Sequence, residues 1–125
     1  MRPLLLCIHT EKERALRLSF LAMSLGIRVR LVKEEELGQS LAALCGLEEG
    51  GAAAPAPVGE EMLVMAFFPD GLLDRFLAAL RHSGLGPVRL KAVLTEHNRA
   101  WTCAQLYSQL SAEAAAFAAR KGEST

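Results

Sequence analysis

Residues 4–9 read Leu4-Leu5-Leu6-Cys7-Ile8-His9, and residues 62–68 read Met62-Leu63-Val64-Met65-Ala66-Phe67-Phe68. In a strand, alternate residues point to opposite faces, so a strand with one wet face alternates apolar with polar. As far as Ile8 and Phe68, these two runs are apolar on both alternating sets, which places them in the middle of a sheet covered on both sides. Ile27-Arg28-Val29-Arg30-Leu31 and Val88-Arg89-Leu90-Lys91-Ala92-Val93-Leu94 behave differently. Each carries basic residues on one alternating set (Arg28, Arg30; Arg89, Lys91), as edge strands do to discourage pairing with another sheet. The expected strand order is 2-1-3-4. Right-handed crossovers make each half a parallel pair, while the direction of strand 1 relative to strand 3 stays open.

Helical patterns fill the gaps, and the expectation is an α/β fold built as βαβα twice, with helices on both sheet faces. Thr10 and Glu13 have capping-box spacing before a helix reaching about Leu25. Leu16, Phe20 and Met23, with Leu18, Ala22 and Leu25 beside them, give that helix a broad apolar face, and Gly26 suits its C-terminal cap. A weaker helix is expected from Glu34 to Cys45, with Gly38 as a break. Pro69-Asp70-Gly71 turns the chain into a third helix whose apolar residues are Leu72, Leu73, Phe76, Leu77 and Leu80, ending at Ser83-Gly84. A last helix from Cys103 to Ala119 carries Leu106, Leu110, Ala114 and Phe117 as its buried stripe. The matching halves point to an internal duplication.

The chain has 125 residues, 51% of them hydrophobic, with a mean hydropathy of +0.22. Such a chain buries roughly two thirds of the surface its unfolded form exposes and needs neither metal nor disulfide to fold. The organisation expected is a single domain over 1–125: a first unit over 1–47, a flexible acidic loop over 48–61 and a second unit over 62–120. That loop is rich in Gly, Ala and Pro, and residues 41–70 contain Glu48, Glu49, Glu60, Glu61 and Asp70 without a Lys or Arg. These acids are expected to keep the loop solvated.

Fourteen Lys and Arg balance fourteen Asp and Glu. That argues against general nucleic-acid binding, whose affinity comes from neutralising phosphates. No run approaches the ~18 apolar residues of a membrane span, and Leu4–Ile8 is too short for a signal-peptide core. Cys7, Cys45 and Cys103, odd in number and widely spaced, fit reduced thiols in a cytoplasmic protein.

The segment Lys91-Ala92-Val93-Leu94-Thr95-Glu96-His97-Asn98-Arg99-Ala100-Trp101-Thr102 puts a polar loop between strand 4 and the last helix, at the kind of edge where open α/β sheets bind ligands. A structural account covers much of it. Thr102 and Gln105 have capping-box spacing, Trp101 and Leu106 stand where a hydrophobic staple would, and Asn98 suits a turn. The binding account makes Lys91, Thr95, Asn98, Arg99 and Trp101 the candidate contact residues.

Lys91, Ala92, Val93, Thr95, Asn98 and Trp101 also form a Lys-Ala-Val-x-Thr-x-x-Asn-x-x-Trp pattern. With the preceding strand and helix, it resembles a bacterial domain-of-unknown-function family, numbered 3783, from Glu61 to about Ala118. Where that family's pattern often has Pro after Thr95, this chain has Glu96. The resemblance implies membership and fold, and brings no activity with it.

A second constellation is Cys7, His9, Thr10 and His97. Cys7 and His9 share a face of strand 1, with His9 at its carboxyl end, and a thiolate beside a histidine can act as a nucleophile. If strands 1 and 4 ran the same way, His97 and Cys103 would join them. A buried Cys7 is more simply an inert thiol. No Cys-x-x-Cys spacing, phosphate-binding glycine loop or nucleophile elbow occurs. No catalytic residue, metal ligand or cofactor is therefore expected. The expected function is a non-catalytic binding or interaction domain, for a protein partner or a second copy of itself. The alternative is a small-molecule-binding protein or enzyme with its site at the carboxyl edge of the sheet.

Overall fold

A strand with no polar residue on either face is stable only with a strand on each side and a layer above and below, and β1 (Leu4–Ile8) and β3 (Met62–Ala66) meet that need by pairing with each other. The structure, a computed structural model, describes residues 1–50 and 58–123, with side chains to residue 120. β2 (Arg28–Val32) flanks β1 and β4 (Leu90–Val93) flanks β3, giving the order β2-β1-β3-β4. β1 and β2 are parallel, as are β3 and β4, whereas β1 and β3 are antiparallel. The expected order and the expected parallel pairs stand, and the direction left open is settled. The sheet is mixed, so the carboxyl ends of β1 and β4 lie at opposite ends of it.

The alternation of the central strands divides the core. Leu4, Leu6 and Ile8 join Met62, Val64 and Ala66 in one cluster, covered by α2 (Leu41–Leu44) and α4 (Cys103–Glu123) through Leu41, Leu44, Cys103 and Leu106. Leu5, Cys7, Leu63 and Met65 join the other, covered by α1 (Lys12–Ser24) and α3 (Leu72–His82) through Leu18, Ala22, Phe76 and Leu80. Helices therefore lie on both faces.

Several local expectations change. α1 starts at Lys12 with Glu11 as its cap residue and no side-chain cap. Thr10 instead donates its hydroxyl to the Ile8 carbonyl at 3.4 Å, so the Thr10–Glu13 capping box does not form. His9, at φ 53, turns the chain out of β1 before the helix begins. The C-terminal cap is as expected: Gly26, at φ 76, donates to Met23 and Ile27 to Ala22, at 3.0 and 2.9 Å. α1 buries only the narrow stripe Ala15, Leu18 and Ala22. Leu16, Phe20 and Met23, expected inside, are 59%, 68% and 66% exposed. The physical reason is that β2 ends the sheet, so the outer flank of α1 overhangs it with nothing described beyond.

The expected helix over 34–45 divides at Gly38 into a 3-10 turn (Glu34–Glu36) and the four-residue α2. β3 stops at Ala66, because Phe67 takes a left-handed conformation (φ 63). α4 continues to Glu123, and Phe117, expected in its buried stripe, is 62% exposed.

The expected loop 48–61 lies partly outside the described residues, but its described acids do more than solvate. Glu61 pairs with Arg14 at 3.0 Å, Glu60 with Arg89 at 2.5 Å, and Glu48 accepts from the Ser40 hydroxyl at 2.6 Å. Beside them Val58 is buried. Arg14 also donates to the Leu85 carbonyl. This tie joins α1 to both ends of the β3–α3 unit.

Burial ranks Phe76 and Phe20. Phe76→Ala, emptying a fully buried site, should cost about 3–5 kcal/mol. Phe20→Ala should stay within about 0.5 kcal/mol. Urea unfolding followed by circular dichroism separates them, and similar losses at both positions would contradict the packing.

Candidate functional site

After β4 the chain enters the loop 94–102, where Thr95 and Asn98 bond back onto the loop's own backbone. Asn98, only 8% exposed, accepts the Thr95 N–H on Oδ1 at 2.9 Å and donates from Nδ2 to the Val93 carbonyl at 3.0 Å. Its own N–H donates to Thr95 Oγ1 at 3.2 Å. The side chains of Thr95 and Asn98 thus each close the turn around the other's backbone. Thr102 and Gln105 form the expected capping box, the Thr102 N–H donating to Gln105 Oε1 at 2.8 Å and the Gln105 N–H to Thr102 Oγ1 at 3.3 Å. Trp101 packs against the core cluster that holds Leu106, and His97 meets its ring edge-on at 5.3 Å.

The loop also completes a helix in the first half of the chain. The opening N–H groups of a helix have no partner within it. In α2, Leu41 donates to the Trp101 carbonyl and Ala42 to the Arg99 carbonyl, both at 2.8 Å. Ala43 donates to Ser40 Oγ at 3.1 Å and Leu44 to the Ser40 carbonyl at 3.0 Å. A bridge between Ser40 and Thr102 fixes the approach. All four donors are satisfied, two by the loop. Sequence reasoning missed this role because backbone carbonyls leave no mark in side-chain identity.

Of the candidate contact residues, Thr95, Asn98 and Trp101 are therefore occupied in holding the fold. Arg99 reaches Glu96 at 3.4 Å across the surface, and Lys91 donates to the Val88 carbonyl. The alternative set is split between the two ends of the sheet. Cys7, His9 and Thr10 line a cleft of about 420 Å³ where β1 and β2 end, with Glu34 on its rim. Thr95 and Arg99 line another, of about 490 Å³, beyond the carboxyl end of β4. Since β1 opposes β3 and β4, His97 does not join Cys7 and His9.

The electrostatics of the first cleft do not make a nucleophile. Burial, and secondarily the charge of Glu61, pushes the Cys7 thiol up to about 12. Burial likewise raises Cys45 and Cys103 to about 11, with Arg30 and Arg28 opposing the rise at Cys45. Each thiol therefore stays protonated at neutral pH. Among the described residues, no three His, Cys, Asp or Glu side chains gather as a metal site, and no helix is long and apolar enough to cross a membrane.

One feature carried no motif: Leu16, Phe20 and Met23 of α1 and Leu31 of β2, the last 51% exposed, form an apolar margin along one edge of the molecule. Leu16 and Leu31 line a shared hollow there. The available signal was an apolar arc on α1 wider than a helix over the end of a sheet can bury.

Fold and loop together define a mixed-sheet α/β domain whose polar C-terminal loop clamps a short helix from the opposite half of the chain. Residues 61–117, from the start of β3 into α4, match the family described as Domain of unknown function (DUF3783). Neither a curated protein nor a solved structure matches the chain.

Two outcomes follow from this geometry. Asn98→Ala leaves the Thr95 N–H and the Val93 carbonyl without their partners in a part-buried turn, and should cost about 1–2 kcal/mol in urea unfolding; Glu96→Ala, at a residue whose side chain is 93% exposed, should be near neutral. The raised thiols make stability fall at alkaline pH. Between the unfolded value of 9.0 and the folded value of about 12 for Cys7, the folded state holds the proton that the unfolded state has lost. That contribution is complete below pH 9.0 and lost as pH rises through about 12. The urea midpoint should decline above that lower limit, and less steeply in Cys7→Ala; parallel declines would remove the thiol as the cause.

Proposed function

We propose that this chain is a non-catalytic interaction domain that binds another protein chain through the α1–β2 margin. The observation that carries this is the exposure of Leu16, Phe20 and Met23 at helical spacing on one flank of α1, with Leu16 sharing a hollow with exposed Leu31 of β2. Scattered apolar residues are ordinary on a surface, but a contiguous group joining a helix flank to a sheet edge is what interaction sites present. The engagement of Thr95, Asn98 and Trp101 within the fold supports placing the contact on the margin rather than on Lys91, Thr95, Asn98, Arg99 or Trp101. The setting we propose is a reducing bacterial cytoplasm, supported by three free buried thiols; the even charge balance supports a partner other than nucleic acid. The common strand–helix order of the halves, with His9 and Phe67 in left-handed conformations directly after the two central strands, supports a duplicated unit.

A small-molecule site is the second reading, favoured by one observation: Cys7, His9 and Thr10 line a common cleft. Site-specific photo-crosslinking in the cells that make the protein separates the readings. A crosslinker at position 20 or 31 should yield protein adducts, and Met23→Glu should abolish them. A crosslinker in place of Glu96 should yield none. Adducts from position 96 alone, or none from 20 and 31, would overturn the margin as the contact surface.

A further inference from the structure

We propose that the chain bound at the α1–β2 margin is a second copy of this one, joined through antiparallel pairing of the two β2 strands about a two-fold axis at Arg30. This rests on reading the chain as an interaction domain and names its partner.

Backbone hydrogen-bond direction is the first argument. Arg28 donates its N–H to the Pro3 carbonyl at 2.9 Å, on the β1 side. Successive residues of a strand turn these groups to opposite sides. Val29 and Leu31 therefore direct their N–H and C=O away from β1, along an edge that no described strand covers. In an antiparallel pair, two residues directly opposite each other exchange both bonds. Setting Val29 against Leu31 of the second copy, and Leu31 against its Val29, satisfies all these outward groups.

Charge distribution is the second argument, and it selects the direction. One end of β2 is basic, with exposed Arg28 bonded through its guanidinium to the Arg2 carbonyl at 3.1 Å. Just past the other end stand exposed Lys33, Glu34 and Glu35, which together leave that end with an excess of one negative charge. Antiparallel pairing brings the basic end of each copy to the acidic end of the other; parallel pairing would set like against like. The two Arg30 side chains that meet at the axis are already compensated, each bound to its own Glu36 at 2.5 Å and to the Leu44 carbonyl at 2.9 Å.

The apolar margin continues the same seam. Val29 and Leu31 register with Leu5 and Cys7, so they lie on the sheet face that α1 covers. Pairing the edges extends that face across the axis and brings the exposed flank of α1 toward its counterpart. The opposite edge is built otherwise: β4 has only Leu90–Val93, and its outward set carries exposed Lys91. An isologous two-fold contact closes on itself and leaves the β4 edges outside it.

Sedimentation velocity of the purified chain from micromolar to millimolar concentration tests this. A reversible monomer–dimer equilibrium is expected, with the amides of Val29 and Leu31 exchanging more slowly as dimer forms. Leu31→Lys and Phe20→Glu should each weaken the dimer by at least about tenfold, with circular dichroism unchanged. Arg28→Glu should weaken it, and adding Glu34→Arg with Glu35→Arg should restore it. A chain monomeric to millimolar concentration, a dimer protected elsewhere, or a dimer tightened by Arg28→Glu would overturn the proposal. If the chain stays monomeric while position 20 crosslinks to a different protein in cells, the second copy is excluded and the interaction reading stands. If position 20 gives no adduct either, both fall.

Discussion

The antiparallel contact between β1 and β3 is the constraint on which the rest of the molecule depends. Leu4 faces Ala66, Leu6 faces Val64 and Ile8 faces Met62, and not one residue of either strand is polar. Strands of this kind cannot end a sheet or leave a face in water, so each needs a further strand and a helical layer on both sides. β2 and β4 supply the strands. The four helices supply the layers, two to a face. The family match begins at residue 61 and so holds β3 without β1. In this chain, β1 covers an edge of β3 that is apolar on both faces.

Direction at that contact also governs chemistry. Antiparallel pairing sends the carboxyl ends of the two parallel units to opposite ends of the sheet. The residues that look most chemical in the sequence, Cys7 and His9 on one side and the loop 94–102 on the other, therefore never share a site. What the second unit does contribute to the first is structural. Trp101 and Arg99 offer carbonyls to the first turn of α2, a helix of four residues that has little stability of its own. A loop engaged in that way ties the two halves together.

The elements differed in how much their residues disclosed. The central strands were legible because two apolar alternating sets leave only one position in a sheet. The Thr102–Gln105 cap and the Gly26 terminus were legible because each needs one residue type at a fixed spacing. α1 was misread on its outer side: periodicity reports which residues avoid water, and it assigned Leu16, Phe20 and Met23 to a core that the end of the sheet does not provide. The charges near the Gly-rich segment were misread too, since Arg14 and Arg89, which pair with Glu61 and Glu60, lie 47 and 29 residues away.

The sequence by itself determined the four strands, their order, the parallel pairing within each half and the covering of both faces, because burial and chain connectivity act on local pattern and on handedness. Only the tertiary structure decided that β1 and β3 oppose each other, that the loop 94–102 caps α2, and that one apolar flank of α1 stays in solvent. Each of these depends on which distant groups come within a few ångströms. Residue type sets whether a group prefers to be buried or bonded, but position in the folded chain sets whether a partner is there.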